Sequence, residues 1–152
     1  MEWAYKNVKR KIIIEKFLKD KNGQSPKDYK FHMFHGKCKM IQVDSDRFKK
    51  HTRSLFDENW NYIDASLKFT QGKKLTKPKN LENMKKLAEK LSKNFENIRI
   101  DLYSLNDNIF VGELTQYHGS GTEKFKPIKY DFELGKNWKI KKTIGRGNDE
   151  TI

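Results

Sequence analysis

Apolar positions along the chain follow two different periods. Between residues 80 and 95, Leu81, Met84, Leu87, Ala88, Leu91 and Phe95 recur at three- and four-residue steps, which is the spacing of one helix face. Asn80 stands where an N-cap belongs, and Pro78 lies just ahead of it. A two-residue period dominates further on. Residues 98–105 alternate Ile98, Ile100 and Leu102 with Arg99, Asp101 and Tyr103. Residues 109–115 alternate again, with Ile109, Val111 and Glu113 on one face and Phe110, Gly112 and Leu114 on the other. Asn106-Asp107-Asn108 reads as the turn of a hairpin between them.

Earlier segments read as strands too. Residues 28–34 carry Tyr29, Phe31 and Phe34, and residues 37–43 carry Met40, Ile41 and Val43, so a hairpin about His35-Gly36 is expected. Residues 11–18 open on Ile12-Ile13-Ile14, a β-branched run that predicts a buried strand. A polar loop with Gly23 and Pro26 follows it. Residues 44–79 hold Phe48, Leu55, Phe56, Trp60, Tyr62 and Phe69 without a clean period, which predicts a long, partly ordered excursion over one side of the sheet. After the second hairpin, residues 118–121 read as a flexible loop, and 126–134 as holding a short helix ended by Gly135. Residues 136–152 read as a frayed basic tail. The expected fold class is α+β: a mostly antiparallel sheet with one main helix, in one domain.

Composition sharpens this picture. A chain of 152 residues suits one domain, and although only 35% of it is hydrophobic, ten Phe, six Tyr and three Trp can fill a core. The net charge of +13 suits a polyanionic ligand, but 28 of the 33 basic residues are Lys, whereas reading of nucleic-acid bases favours Arg. Nucleic acid is therefore an unfavoured partner. Cys38 stands alone, which excludes an intrachain disulfide and a cysteine metal cluster and predicts a buried, inert thiol. His32, His35, His51 and His118 share no zinc-like spacing. The first ten residues hold no signal core and no stretch is long enough to span a membrane, so a cytoplasmic protein is expected.

Candidate chemistry gathers in the second hairpin. A symmetric register about its turn sets Asp101 opposite Glu113. Two opposed carboxylates repel one another unless a cation lies between them, and magnesium accepts carboxylates together with phosphate oxygens and water. Arg99, two residues before Asp101, would supply positive charge for a phosphate. The competing reading is a pair of surface carboxylates neutralised by neighbouring lysines.

R-I-D-L-Y at 99–103, G-E-L-T at 112–115 and G-S-G at 119–121 resemble the closing motif of the ATP-grasp superfamily. More closely, the chain resembles the TupA-like ATP-grasp group, associated with teichuronopeptide and other polysaccharide biosynthesis. The matching segments are Y-K-N-V-K-R-K-I-I-I-E-K-F-L at 5–18, D-Y-K-F at 28–31, I-Q-V-D-S-D-R-F at 41–48 and Y-D-F-E-L-G at 130–135. The resemblance implies ATP and Mg2+ as cofactors, with Asp101 and Glu113 as metal ligands and Arg99 as the catalytic contact to phosphate or acyl-phosphate. It implies that Glu15, Lys16 and Leu18 belong to a hinge that holds adenine, and that Asp28 contacts ribose. Asp28 reads equally as a loop cap. Asp44-Ser45-Asp46-Arg47 is either a substrate contact or a turn, and Arg53 is a further phosphate candidate.

Two departures stand out. Thr115 occupies the position where many members carry Asn as a third metal-site ligand, and is expected to serve there as a neutral oxygen donor that binds magnesium less readily. The resemblance also begins midway through the family's domain, without the strand lysine and glycine loop that clamp the phosphates. The expected protein is the C-terminal part of a carboxylate–amine ligase, acting on a nucleotide and a carboxylate or glycan-linked substrate. The group is often labelled glycosyltransferase, yet no sugar-nucleotide motif is visible. The alternatives are an inactive remnant, a split enzyme needing a separate front-half chain, or a basic binder of nucleic acid or anionic glycan.

Overall fold

The computed structural model describes residues 5–20, 23–45 and 50–140. Its centre is an antiparallel hairpin of β1 (Asp28–Phe34) and β2 (Lys37–Ser45), joined through left-handed His35 and Gly36. Gly36 takes a positive φ without the cost a β-carbon would add. The main sheet runs β4-β3-β2-β1-β7-β8, where β3 is Thr52–Phe56, β4 is Tyr62–Ile63, β7 is Asn97–Leu105 and β8 is Asn108–Thr115. β6 (Thr70–Gln71) adds a short parallel pairing to β3. A separate ribbon joins β5 (Ser66–Leu67) to β9 (Phe125–Lys126). The α+β expectation holds: α1 (Leu81–Ser92) is the main helix and α2 (Lys129–Gly135) a short second one.

One face of the sheet is apolar. Phe31, Met33, Ile41, Val43, Ile98, Ile100 and Leu102 pack there against Leu81, Met84 and Ala88 of α1. Asn80 occupies the N-cap position, but its side chain makes no capping bond. It instead exchanges hydrogen bonds with Ser104 Oγ, at 2.8 and 3.1 Å, and so ties the helix start to β7. The other face has an apolar patch of Met40, Leu55, Ala65, Leu67 and Phe125 beside a buried polar field. Cys38 is buried as expected, and burial pushes its thiol up to about 12.

Two expectations fail. Residues 11–18 form no strand: Ile12 and Ile14 are each 92% exposed on an extended segment. β-propensity is realised only where a neighbouring strand and a buried face receive the side chains, and this run has neither among the described residues. The stretch after β2 is more ordered than its pattern predicts, since residues 52–71 supply β3 to β6. Trp60 is buried there, its ring stacked on Phe56 at 4.1 Å and its Nε1 donating to Leu75 O. Asp46 and Arg47 lie outside the described residues, as does the tail beyond residue 140.

Candidate functional site

The polar field follows from the two-residue period of central strands. β1 alternates Tyr29, Phe31 and Met33 in the core with Asp28, Lys30 and His32 on the opposite face. β2 adds Gln42 and Asp44, β3 adds Arg53, and β7 adds Arg99 and Asp101. All of these except Arg99 are almost wholly buried, and their charges are paired. Lys30 Nζ bridges Asp28 Oδ2 at 2.6 Å and Asp101 Oδ2 at 2.5 Å. Arg99 grips Asp101 with two bonds, Nε to Oδ1 at 2.7 Å and Nη2 to Oδ2 at 2.9 Å, and donates to Thr115 Oγ1 at 3.2 Å. Burial alone would lower the Arg99 pKa, but the Asp101 carboxylate outweighs it and the net shift is upward.

Asp101 faces Glu113 as expected, by a route the sequence reading did not foresee. The hairpin turn has two residues, Asn106 and Asp107, both at positive φ. Counted straight from that turn, Asp101 would face Gly112, and Glu113 would point to the apolar side. A β-bulge at Gly112 inserts one residue and restores the pairing. Val111 then faces Leu102 and Leu114 faces Ile100, which corrects the unbroken alternation expected for this strand. Gly112 suits the bulge because the Tyr103 ring lies over it, where a β-carbon would come within 2.6 Å of Cε2. The Glu113 side chain is 61% exposed, with Arg99 Nη2 3.7 Å away.

A second charged group adjoins the first. Arg53 holds Asp44 through Nε at 2.8 Å and Nη2 at 3.3 Å, and its Nη1 donates to Leu67 O at 3.2 Å and Glu123 Oε2 at 3.1 Å. Burial would raise the Asp44 pKa, but Arg53 outweighs it and holds the carboxyl below its ordinary value. Glu123 fits because Gly119, at φ +56, leaves the space: a β-carbon there would lie 2.2 Å from Glu123 Cγ. The G-S-G segment is therefore a turn shaped around that carboxylate, with Gly119, Ser120 and Gly121 all at positive φ. His118 starts the turn and sets its ring edge-on to His32 at 4.8 Å. Burial, then His118 and Arg99, hold His32 well below the usual histidine range. Burial and Arg99 lower His118, whose Nδ1 is buried without a hydrogen-bond partner among the described residues.

The structure thus gathers Arg99, Asp101, Glu113, Thr115, Asp28, Asp44 and Arg53 on one face. It does not bring the hinge residues there. Glu15 and Lys16 are exposed and Leu18 half-buried on the extended segment, and none of them joins a hydrogen bond or ion pair of the cluster. Lys30, His32, Gln42 and Glu123 were missed. Alternating polar residues in a strand whose other face is core were the available signal for the first three.

The TupA-like ATPgrasp family model matches residues 1–139. The chain belongs to this family. No match was found among curated proteins or among solved structures. Members of the ATP-grasp family generally use ATP and Mg2+, and membership implies nucleotide binding. Of the two carboxylates, Glu113 is open to such an ion, whereas both oxygens of buried Asp101 are engaged by Arg99 and Lys30. Magnesium takes one or two carboxylates and completes its shell with phosphate and water; Glu113 is open to solvent and directly opposite Asp101. No three acidic, His or Cys side chains among the described residues converge to hold a metal unaided. Among the described residues no helix is long and apolar enough to cross a membrane.

Proposed function

We propose that this TupA-like ATP-grasp chain provides the magnesium–nucleotide wall of an ATP-dependent carboxylate–amine ligase of cell-surface polysaccharide biosynthesis. One observation carries the reading: Asp101 and Glu113 stand directly opposite one another with the Arg99 guanidinium against both. Glu113 would hold the ion, joined by Asp101 once Lys30 releases its Oδ2, and the ion would neutralise phosphate charge while a carboxylate is phosphorylated. Arg99, kept charged and aimed by Asp101, would meet the anionic oxygens of the phosphate and then of the acyl-phosphate. Thr115 Oγ1, which accepts from Arg99, would help to aim the guanidinium beside the ion. Lys30 keeps the buried carboxylates at a fixed separation.

Calorimetry with Mg-ATP tests this on the full chain. Micromolar binding should weaken at least about tenfold in Glu113→Gln and in Asp101→Asn, about 1.4 kcal/mol or more. Absence of Mg-ATP binding by the unaltered chain would overturn the reading. The exposed Ile12–Ile14 run favours a second reading, in which activity needs a separate front-half chain laid against that segment. Turnover by this chain alone would refute that version.

A further inference from the structure

The polar field already holds a cation between two carboxylates. Lys30 Nζ stands 2.6 Å from Asp28 Oδ2 and 2.5 Å from Asp101 Oδ2, with its side chain 6% exposed and each carboxylate side chain 3%. The sheet fixes this arrangement. Lys30 lies directly across from Asp101 on β7, and Asp28 precedes it by two residues on the same face of β1. Hard metal ions sit about 2.0–2.6 Å from their oxygen ligands. A gap that admits an ammonium group at these distances therefore admits such an ion after a small inward shift of the carboxylates.

Charge decides which of the two occupies it. Asp28 and Asp101 are balanced by Lys30 and by Arg99, which binds both Asp101 oxygens. The adjoining Arg53 is matched by Asp44 and Glu123. Among the described residues the buried pair of carboxylates is thus already neutralised, with Glu113 at its open side. A divalent ion added to this group would leave buried positive charge uncompensated, which a low-dielectric interior penalises heavily. Without the lysine charge the balance reverses. Asp28, Asp101 and Glu113 against Arg99 alone leave two negative charges, the complement of one divalent ion.

We propose that Lys30 is the resident cation of this site, holding the place between Asp28 and Asp101 that a divalent ion enters only together with nucleotide phosphate. The phosphates bring the negative charge that the displaced ammonium requires, so the ion and the nucleotide bind together and the ion does not bind alone. Lys30 is a positioning residue in this scheme: it keeps the carboxylates apart and ready, and it excludes free metal from them. The trigger for displacement rests on the nucleotide reading above; the cation position itself does not.

Calorimetry with Mn2+ in the absence of nucleotide tests this on the full chain. The unaltered chain should bind the ion weakly, and Lys30→Met at least tenfold more tightly. Lys30→Arg keeps a cation in place and should stay weak. Adding Asp101→Asn to Lys30→Met should remove the gain. Because Lys30→Met strands two carboxylates, its urea midpoint is also measured with and without Mg2+. The ion should raise that midpoint by more than it raises the midpoint of the unaltered chain, since it binds only the folded site. A lysine with a purely structural role would leave a destabilised chain that Mg2+ does not rescue. Tight Mn2+ binding by the unaltered chain, no gain in Lys30→Met, or an equal gain in Lys30→Arg would each overturn the proposal. Mg-ATP binding by the unaltered chain is scored separately: its absence removes the nucleotide reading, while the Mn2+ comparison still decides the cation position.

Discussion

Lys30 shows what a single buried charge does in this protein. Its ammonium lies between Asp28 and Asp101, with no more than a few per cent of any of the three side chains exposed. Taking such a charge from water is costly, and removing one partner strands the others. Lys30→Met should therefore lower stability by about 3–5 kcal/mol, read as a fall in the urea midpoint. Restoring part of the loss with Asp28→Asn in the same chain would show that stranded carboxylate charge, not lost packing, is responsible. Equal midpoints for Lys30→Met and the unaltered chain would refute the account. Lys30 was legible only in hindsight, because a lysine two residues from an aspartate is ordinary in a chain with 33 basic residues. Its role depends on Asp101, 71 positions away.

At the scale of elements, the β7–β8 hairpin separates pattern from geometry. The sequence pairs Asp101 with Glu113 by assuming a symmetric turn; the fold reaches the same pair with a tighter turn and a bulge. Gly112 is the hinge of that difference. In Gly112→Val, the new side chain would displace the Tyr103 ring, at a cost of about 1–3 kcal/mol for overpacking. The strand should relax toward the unbulged register and turn Glu113 from Asp101. The expected result is Mg-ATP binding weakened by as much as in Glu113→Gln, with the melting temperature only moderately lowered; unchanged binding would show that the bulge does not position the carboxylate. Helix α1 was legible in detail because its periodic face meets one continuous apolar surface. The run at Ile12–Ile14 was misread because a strand-forming sequence becomes a strand only beside another.

Across the whole molecule, the buried groups bias stability in one direction of pH. His32 and His118 are held neutral by burial, and the folded pKa of each lies below its unfolded value. Below about pH 6.5 the unfolded chain therefore binds more protons than the folded one, and stability falls as pH drops through that window. The depressed Asp44 adds to this: its contribution is present above the ordinary carboxyl range and is lost as pH falls through the folded value. A net charge of +13 grows on acidification and adds repulsion. Melting temperature should decline steadily from pH 7 to pH 4, and His32→Gln should flatten the upper part of the decline; a flat profile for the unaltered protein would refute the assignment.

The amino-acid sequence by itself determined the fold class, the main helix and both long hairpins, because these rest on short-range periodicity and on motifs contiguous in the chain. The tertiary structure alone decided that β1 is a central strand whose second face is a buried ionic field. It also decided that Glu15 and Lys16 stand apart from that field, and that Gly119 makes room for Glu123 beside Arg53. Those are relations between residues far apart in sequence, and burial, register and charge pairing exist only once the sheet has brought them together.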